Sequence, residues 1–252
     1  GWAKDARRAH RFLRCWHHDP MIYSLEPGFT AVVLGASGAI GQAWLELLQA
    51  DPRCAQVVGL SRQSDPPLVL EDEASLIACA HHLAPVGPLH LVLDATGALT
   101  IEGRGPEKRL DELDRAALLR AFEVNAVGPA LLIKHLAPLL ATGQRVVWAK
   151  LSARVGSIED NAKGGWYGYR ASKAALNMFL QTAAIELARK RPLAVVAALQ
   201  PGTVRSRLSQ PFVGDNALDP RTSAQRLLDV LDTLEPTGRA QFVDHLGQAI
   251  PW

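Results

Sequence analysis

Tyr169 and Lys173 stand four residues apart in GWYGYRASKAALN (165–177), which stacks a phenol and an ammonium one turn apart if the segment is helical. A free phenol titrates near ~10, too high for easy proton exchange at neutral pH, and a nearby cation lowers that value. Such a pair can act as general acid and base toward a substrate oxygen. An aromatic and a cation sharing a solvated face would have the same spacing. The surrounding elements decide between the two.

A second group of residues points to a phosphate ligand. In VVLGASGAIGQAW, Gly35, Gly38 and Gly41, with Ser37, Ala39 and Ile40 between and beside them, sit where an apolar run passes into an amphipathic one. A strand–turn–helix junction this tight needs residues without Cβ, so that backbone can approach a pyrophosphate facing the helix N-terminus. In NAD sites a carboxylate about twenty residues further on binds the adenosine ribose. Here VVGLSRQS supplies Ser61 and Arg62 instead. An arginine attracts a 2′-phosphate that an aspartate would repel, so the expected cofactor is NADP(H).

The elements that must carry these residues alternate. FTAVVLG (29–35), QVVGLS (56–61), LHLVLDA (89–95), QRVVWAKLS (144–152) and LAVVAALQ (193–200) are apolar runs of strand length, and QFVDHLGQAIPW supplies a short last strand. Helices are expected over 39–50, 73–83, 111–141 (a long pair), 167–191 and 221–234. Strand and helix in alternation predict a single doubly wound α/β domain, with a central parallel sheet and helices on both faces. The pair Tyr169–Lys173 then opens a helix that follows a strand, on the side of a parallel sheet where ligands bind.

Composition narrows the partners. Lys and Arg total 27 against 25 Asp and Glu, and this net of +2 favours neither nucleic acid nor a membrane surface. Lys134, His135 and Pro138 interrupt the longest apolar stretch, so no run approaches the ~20 residues of a membrane span. Cys15, Cys54 and Cys79 form no CxxC, which predicts reduced thiols, no metal and a cytoplasmic protein. Residues 1–20 read as a basic N-terminal extension before Met21, with the domain over 21–252.

Taken in order, GASGAIG (35–41), FEVNAVGP (122–129), SARVGS (152–157), YRASK (169–173) and QPGTV (200–204) resemble the short-chain dehydrogenase/reductase family across residues 28–252. RVGSIEDNAKGGWYGYRASKAALN is similar to the branch of C-signal and sniffer-like carbonyl reductases. The resemblance implies hydride transfer between a nicotinamide and a carbonyl or alcohol substrate in a homodimer or homotetramer. Tyr169 would then be the acid, Lys173 its modulator and ribose ligand, and Asn125 a support for a water beside the lysine. Ala95 and Gly97 of DATG (94–97), where the family often has NNAG, would lie against the cofactor, although Asp94 departs from that pattern. Pro201, Gly202, Thr203 and Val204 would meet the nicotinamide, and Tyr167 would form a pocket wall.

One departure concerns the substrate-orienting serine, because Ala153 occupies its position three residues before Gly156. Ser152 is the first candidate to replace it, and Ser157 is another if the loop folds back. A protein that keeps the fold and nucleotide for signalling, with little turnover, is the alternative reading. Residues 204–219 are expected to form a substrate lid, and Arg205 and Arg207 within it to be solvated or to attract an acidic substrate.

Overall fold

The computed structural model describes residues 22–204 and 217–252, so the N-terminal extension, Arg205, Arg207 and most of the expected lid lie outside the described residues. Six strands form one parallel sheet: β1 (Phe29–Leu34), β2 (Cys54–Leu60), β3 (Leu91–Asp94), β4 (Val146–Leu151), β5 (Ala194–Gln200) and β6 (Ala240–Asp244). Their order is β2-β1-β3-β4-β5-β6, so the winding reverses between β1 and β3 and leaves a crevice at their carboxyl ends. All six residues of β1 are buried, as expected for a strand covered on both faces.

Helices α1 (Ala39–Ala50) and α6 (Pro220–Thr233) cover one face. There Trp44, fully buried, donates its indole N–H to the Ala224 carbonyl at 3.1 Å and joins the two helices. The other face carries α2 (Glu73–Leu83), α3 (Arg115–Phe122), α4 (Gly128–Leu136) and α5 (Tyr167–Lys190). Its core links Leu76 and Leu83 of α2 to Leu132 and Leu136 of α4, to Leu176 and Leu180 of α5, and to Trp148 of β4.

Helices α3 and α4 are joined by a π-helical turn, Glu123–Val127. Helical continuity through that turn makes Arg115–Leu139 a 25-residue stretch long and apolar enough to cross a membrane by length and composition. The stretch carries Arg120, Glu123, Lys134 and His135, so it is no uninterrupted apolar run. In this fold Leu132 and Leu136 of the stretch are wholly buried against α5 and the sheet.

The turn after β1 is packed to its limit. A Cβ on Gly41 would lie 2.2 Å from the Gly35 carbonyl oxygen, whereas one on Gly38 would lie 3.4 Å from the same atom. Gly41→Ala should therefore destabilise the protein by about 1–3 kcal/mol through forced backbone displacement, and Gly38→Ala by clearly less. Urea unfolding of both variants checks the difference.

Candidate active site

The site assembles at the carboxyl ends of β1, β3, β4 and β5. Aspartates open three of the helices from their own N-caps: Asp72 accepts from Ala74 N–H, Asp114 from Ala117 N–H and Asp219 from Thr222 N–H. Helices α1 and α5, which face the site, have no side-chain cap of their own. At α1, Gly38 is the N-cap, and the first-turn N–H groups of Ala39, Ile40 and Gly41 stand behind the exposed Ser37 and Gly38. This bare end, with a glycine where Cβ cannot fit, is a cradle for an anionic group.

Ser61 and Arg62 follow β2 beside that cradle. The Ser61 hydroxyl is taken up locally, accepting from Gln63 N–H at 3.1 Å and bonding Gln63 Oε1 at 3.2 Å. Arg62 is exposed, and among the described residues no side-chain hydrogen bond or ion pair engages it. Pro201, Gly202, Thr203 and Val204 follow β5; Thr203 is exposed, and its carbonyl accepts from Leu218 N–H at 2.8 Å.

Between these segments, Ala95 continues β3, donating its N–H to Leu34 O at 2.8 Å. Gly97, with φ +128°, lies so close that a Cβ would sit 3.0 Å from Asn125 Oδ1 and 3.4 Å from Lys173 Nζ. Asn125 lies in the π-turn, 1 % exposed, and its amide grips the Ala98 backbone through two 2.8 Å bonds, one to the N–H and one to the carbonyl. Lys173 is buried on α5, donates to Leu151 O at 3.3 Å, and stands 5.6 Å from the centre of the Tyr169 ring. Tyr169, Asn125 and Ala98 line one cavity of about 240 Å³ with the 99–107 loop and α3. Among the sequence candidates, the structure thus brings together Gly97, Asn125, Tyr169 and Lys173.

The serine candidates face elsewhere. The Ser152 hydroxyl is buried and donates to Asn177 Oδ1 of α5 at 2.6 Å, and Ser152 does not line the cavity. The hydroxyl expected from the sequence to be catalytic is thus engaged by α5. Ser152 continues the alternation of Trp148 and Lys150, and that face of β4 packs on α5. Ser157 is also engaged: it accepts from Asp160 N–H at 3.0 Å and donates to Trp252 O at 3.3 Å. Tyr167 opens α5, partly exposed and outside the cavity lining.

Two side chains that the sequence reading left without a role belong to the site. Lys150, 1 % exposed within β4, pairs with fully buried Asp94 of β3 at 3.2 Å and donates to Thr96 O at 2.5 Å. A lysine inside the apolar run QRVVWAKLS was the available signal. Glu107 reaches across to α5, where its Oε2 accepts from Gly168 N–H at 3.0 Å. No local pattern announces that contact.

The electrostatics follow from burial. Desolvation pushes the Tyr169 phenol up to about 12. Lys173 is brought down to about 7, chiefly by desolvation and next by the charge of Lys150, with Asp94 opposing. Desolvation also lowers Lys150, against the pull of Asp94. The arrangement presents a protonated phenol over a lysine whose charge is labile near neutrality.

Comparison with known proteins agrees with this geometry. A family model described as enoyl-(acyl carrier protein) reductase matches residues 70–242. C-signal of Myxococcus xanthus is 33 % identical over 167 residues, covering 66 % of this chain and 94 % of that protein. A 1-hydroxy-2-glutathionyl-2-methyl-3-butene dehydrogenase of Rhodococcus is 30 % identical over 190 residues, covering 75 % and 80 %. An NADPH-bound carbonyl reductase from chicken fatty liver superposes with a TM-score of 0.78 at 21 % identity, covering 90 % of this chain and 100 % of that one. The carbonyl reductase Sniffer of D. melanogaster gives 0.76 at 21 %, covering 89 % and 99 %. With a doubly wound sheet, a glycine turn after β1 and a Tyr–Lys pair opening α5, the chain belongs to the short-chain dehydrogenase/reductase family of oxidoreductases.

Proposed function

We propose that this protein is an NADP(H)-dependent reductase or dehydrogenase that interconverts a small carbonyl compound and its alcohol, with Tyr169 as the acid/base. The observation that carries this reading is the meeting of Gly97, Asn125 and Lys173, with Asn125 and Tyr169 lining one cavity, in a fold whose first helix, after β1, has a bare N-terminus. The exposed Arg62, with no side-chain partner among the described residues, supports a 2′-phosphate on the cofactor. The carbonyl reductase from chicken fatty liver was crystallised with NADPH, and its fold matches this one. Leu119 of α3 and Met178 and Phe179 of α5 are exposed, which supports a homodimer or homotetramer built on those helices.

Bound NADPH would supply the hydride; the chain's own residues handle the proton. Tyr169, held as phenol by burial, donates its proton to the carbonyl oxygen during reduction. Lys173 in its protonated form stabilises the resulting phenolate. Asn125 and Lys150 fix the loop 94–98 along which the nicotinamide half would lie. A second reading, nucleotide-dependent signalling with little turnover, is favoured by Ala153 at the serine position and by the commitment of Ser152 to Asn177. Similarity to C-signal agrees with it.

The lysine also couples the site to stability. Its folded-state value, about 7, lies below the ordinary 10.5, so the unfolded chain binds the proton more strongly between those limits. Stability should therefore rise with pH from about 7 to 10.5 on account of Lys173, and the penalty is full below 7. Urea unfolding against pH should show that rise, and Lys173→Met should flatten it.

Two further outcomes are expected. NADPH should bind about tenfold tighter than NADH or better, a difference of ~1.4 kcal/mol, and Arg62→Ser should remove the preference. Quenching of tryptophan fluorescence measures both, and equal affinities in wild type would end the Arg62 assignment. Tyr169→Phe should lower NADPH-dependent reduction of aldehydes and ketones by about a hundredfold or more while leaving nucleotide affinity nearly unchanged. Tight NADPH binding with no wild-type turnover on any carbonyl would establish the signalling reading instead.

A further inference from the structure

The cavity beside Tyr169 contains several charged groups, and all but one are balanced. Arg104 pairs with Asp114 at 3.4 Å, and Arg120 with Glu71 at 3.2 Å, Glu102 at 3.1 Å and Glu123. Both ends of the Asn125 amide are spent on Ala98. Glu107 differs. It is 7 % exposed, lines the cavity, and has no counter-ion among the described residues. Its Oε2 accepts from Gly168 N–H at 3.0 Å, while its Oε1 has no hydrogen bond among the described residues and is not sealed from solvent, so it stays open at the cavity wall.

Capping of α5 explains Oε2 but leaves Oε1 unexplained. A ligand that covers this open carboxylate oxygen without offering a donor incurs its desolvation penalty, whereas one that brings a donor does not. The remaining walls, including Leu99, Ile101, Pro106 and Ala117, are apolar and suit a carbon skeleton. Tyr169 lines the same cavity one residue beyond Gly168, so one molecule can reach both groups.

Resting on the carbonyl-reductase reading, we propose that Glu107 is a substrate-recognition residue. It selects a carbonyl compound that carries a hydrogen-bond donor, an ammonium or hydroxyl group, held by Oε1 while Tyr169 faces the carbonyl. Such a site discriminates strongly against the analogue that lacks the donor, because that analogue covers the carboxylate and leaves it unpaired.

The test compares acetophenone with its 3- and 4-aminomethyl and 3- and 4-hydroxymethyl derivatives as substrates with NADPH. Wild type should prefer at least one donor-bearing ketone over acetophenone in kcat/KM by about tenfold or more. The aminomethyl and hydroxymethyl arms show whether that donor is ammonium or hydroxyl. Glu107→Gln keeps an acceptor for Gly168 N–H but can turn an amide NH₂ to the ligand, so the preference ratio should collapse by about tenfold or more. A purely structural cap would alter stability and leave the ratio untouched. A ratio unchanged in Glu107→Gln, or a wild type without preference, overturns the proposal while leaving the reductase reading intact. Calorimetric titration of the same ketones with NADP⁺ present covers the case of no turnover. A donor preference that Glu107→Gln abolishes then supports the recognition role although the reductase reading has failed, and its absence overturns both.

Discussion

One buried carboxylate lies among two buried lysines at the ends of β3 and β4, and much of the site follows from that imbalance. Buried charges must be paired or lose their ionisation. Lys150 holds Asp94 directly, and Lys173 is left with the Leu151 carbonyl. Desolvation first, and the nearby Lys150 charge second, bring the second ammonium down to about 7 against the pull of Asp94. The pair also has a mechanical role. Lys150 fastens the 94–97 segment through Thr96 O while Asn125 fastens Ala98, so the loop beside Tyr169 is gripped from β4 and from the π-turn together.

Helix ends divide the labour differently from helix bodies. The aspartate caps lie on α2, α3 and α6, and of these only α3, through Asp114 and Ala117, also lines the cavity. The two helices that point at the crevice give up that local stabilisation. At α1 the donors remain available, and at α5 a carboxylate from a distant loop takes one of them. Trp166, in a left-handed conformation at φ 56°, sets the angle at which α5 begins, and its N–H also bonds to the Glu107 carbonyl. The 105–108 segment and the start of α5 are thus one unit, although they are far apart in the chain.

What the sequence made legible was local or periodic. Strands announced themselves as apolar runs, and the glycine turn and the Tyr169–Lys173 spacing lie within single elements. The missing parts depend on contacts across elements. Asp94 and Lys150 are 56 residues apart and meet only because β3 pairs with β4 in that register. Glu107 and Gly168 are 61 apart. Ser152 was one residue from the expected position, and on a strand one residue reverses the face, so it met Asn177 instead of the cavity. The π-turn leaves no periodic trace that a helix pattern would reveal.

That turn has a consequence for the chain's tolerance of length change. A π-turn carries about one residue more than an α-turn, and one residue corresponds to about 100° of rotation about a helix axis. Within Glu123–Val127 the surplus residue lets Asn125 address the Ala98 backbone while Leu132 and Leu136 still face the sheet. Removing a single residue there would restore an unbroken α-helix whose halves keep their faces, with Leu132 and Leu136 still on the core, but the bulge that aims the Asn125 amide at Ala98 would be gone. A deletion anywhere else in these helices has no bulge to absorb it and would swing one half about a quarter-turn against the other. Side-chain identity in this stretch can therefore drift more readily than the residue count, which is the quantity that the architecture holds constant.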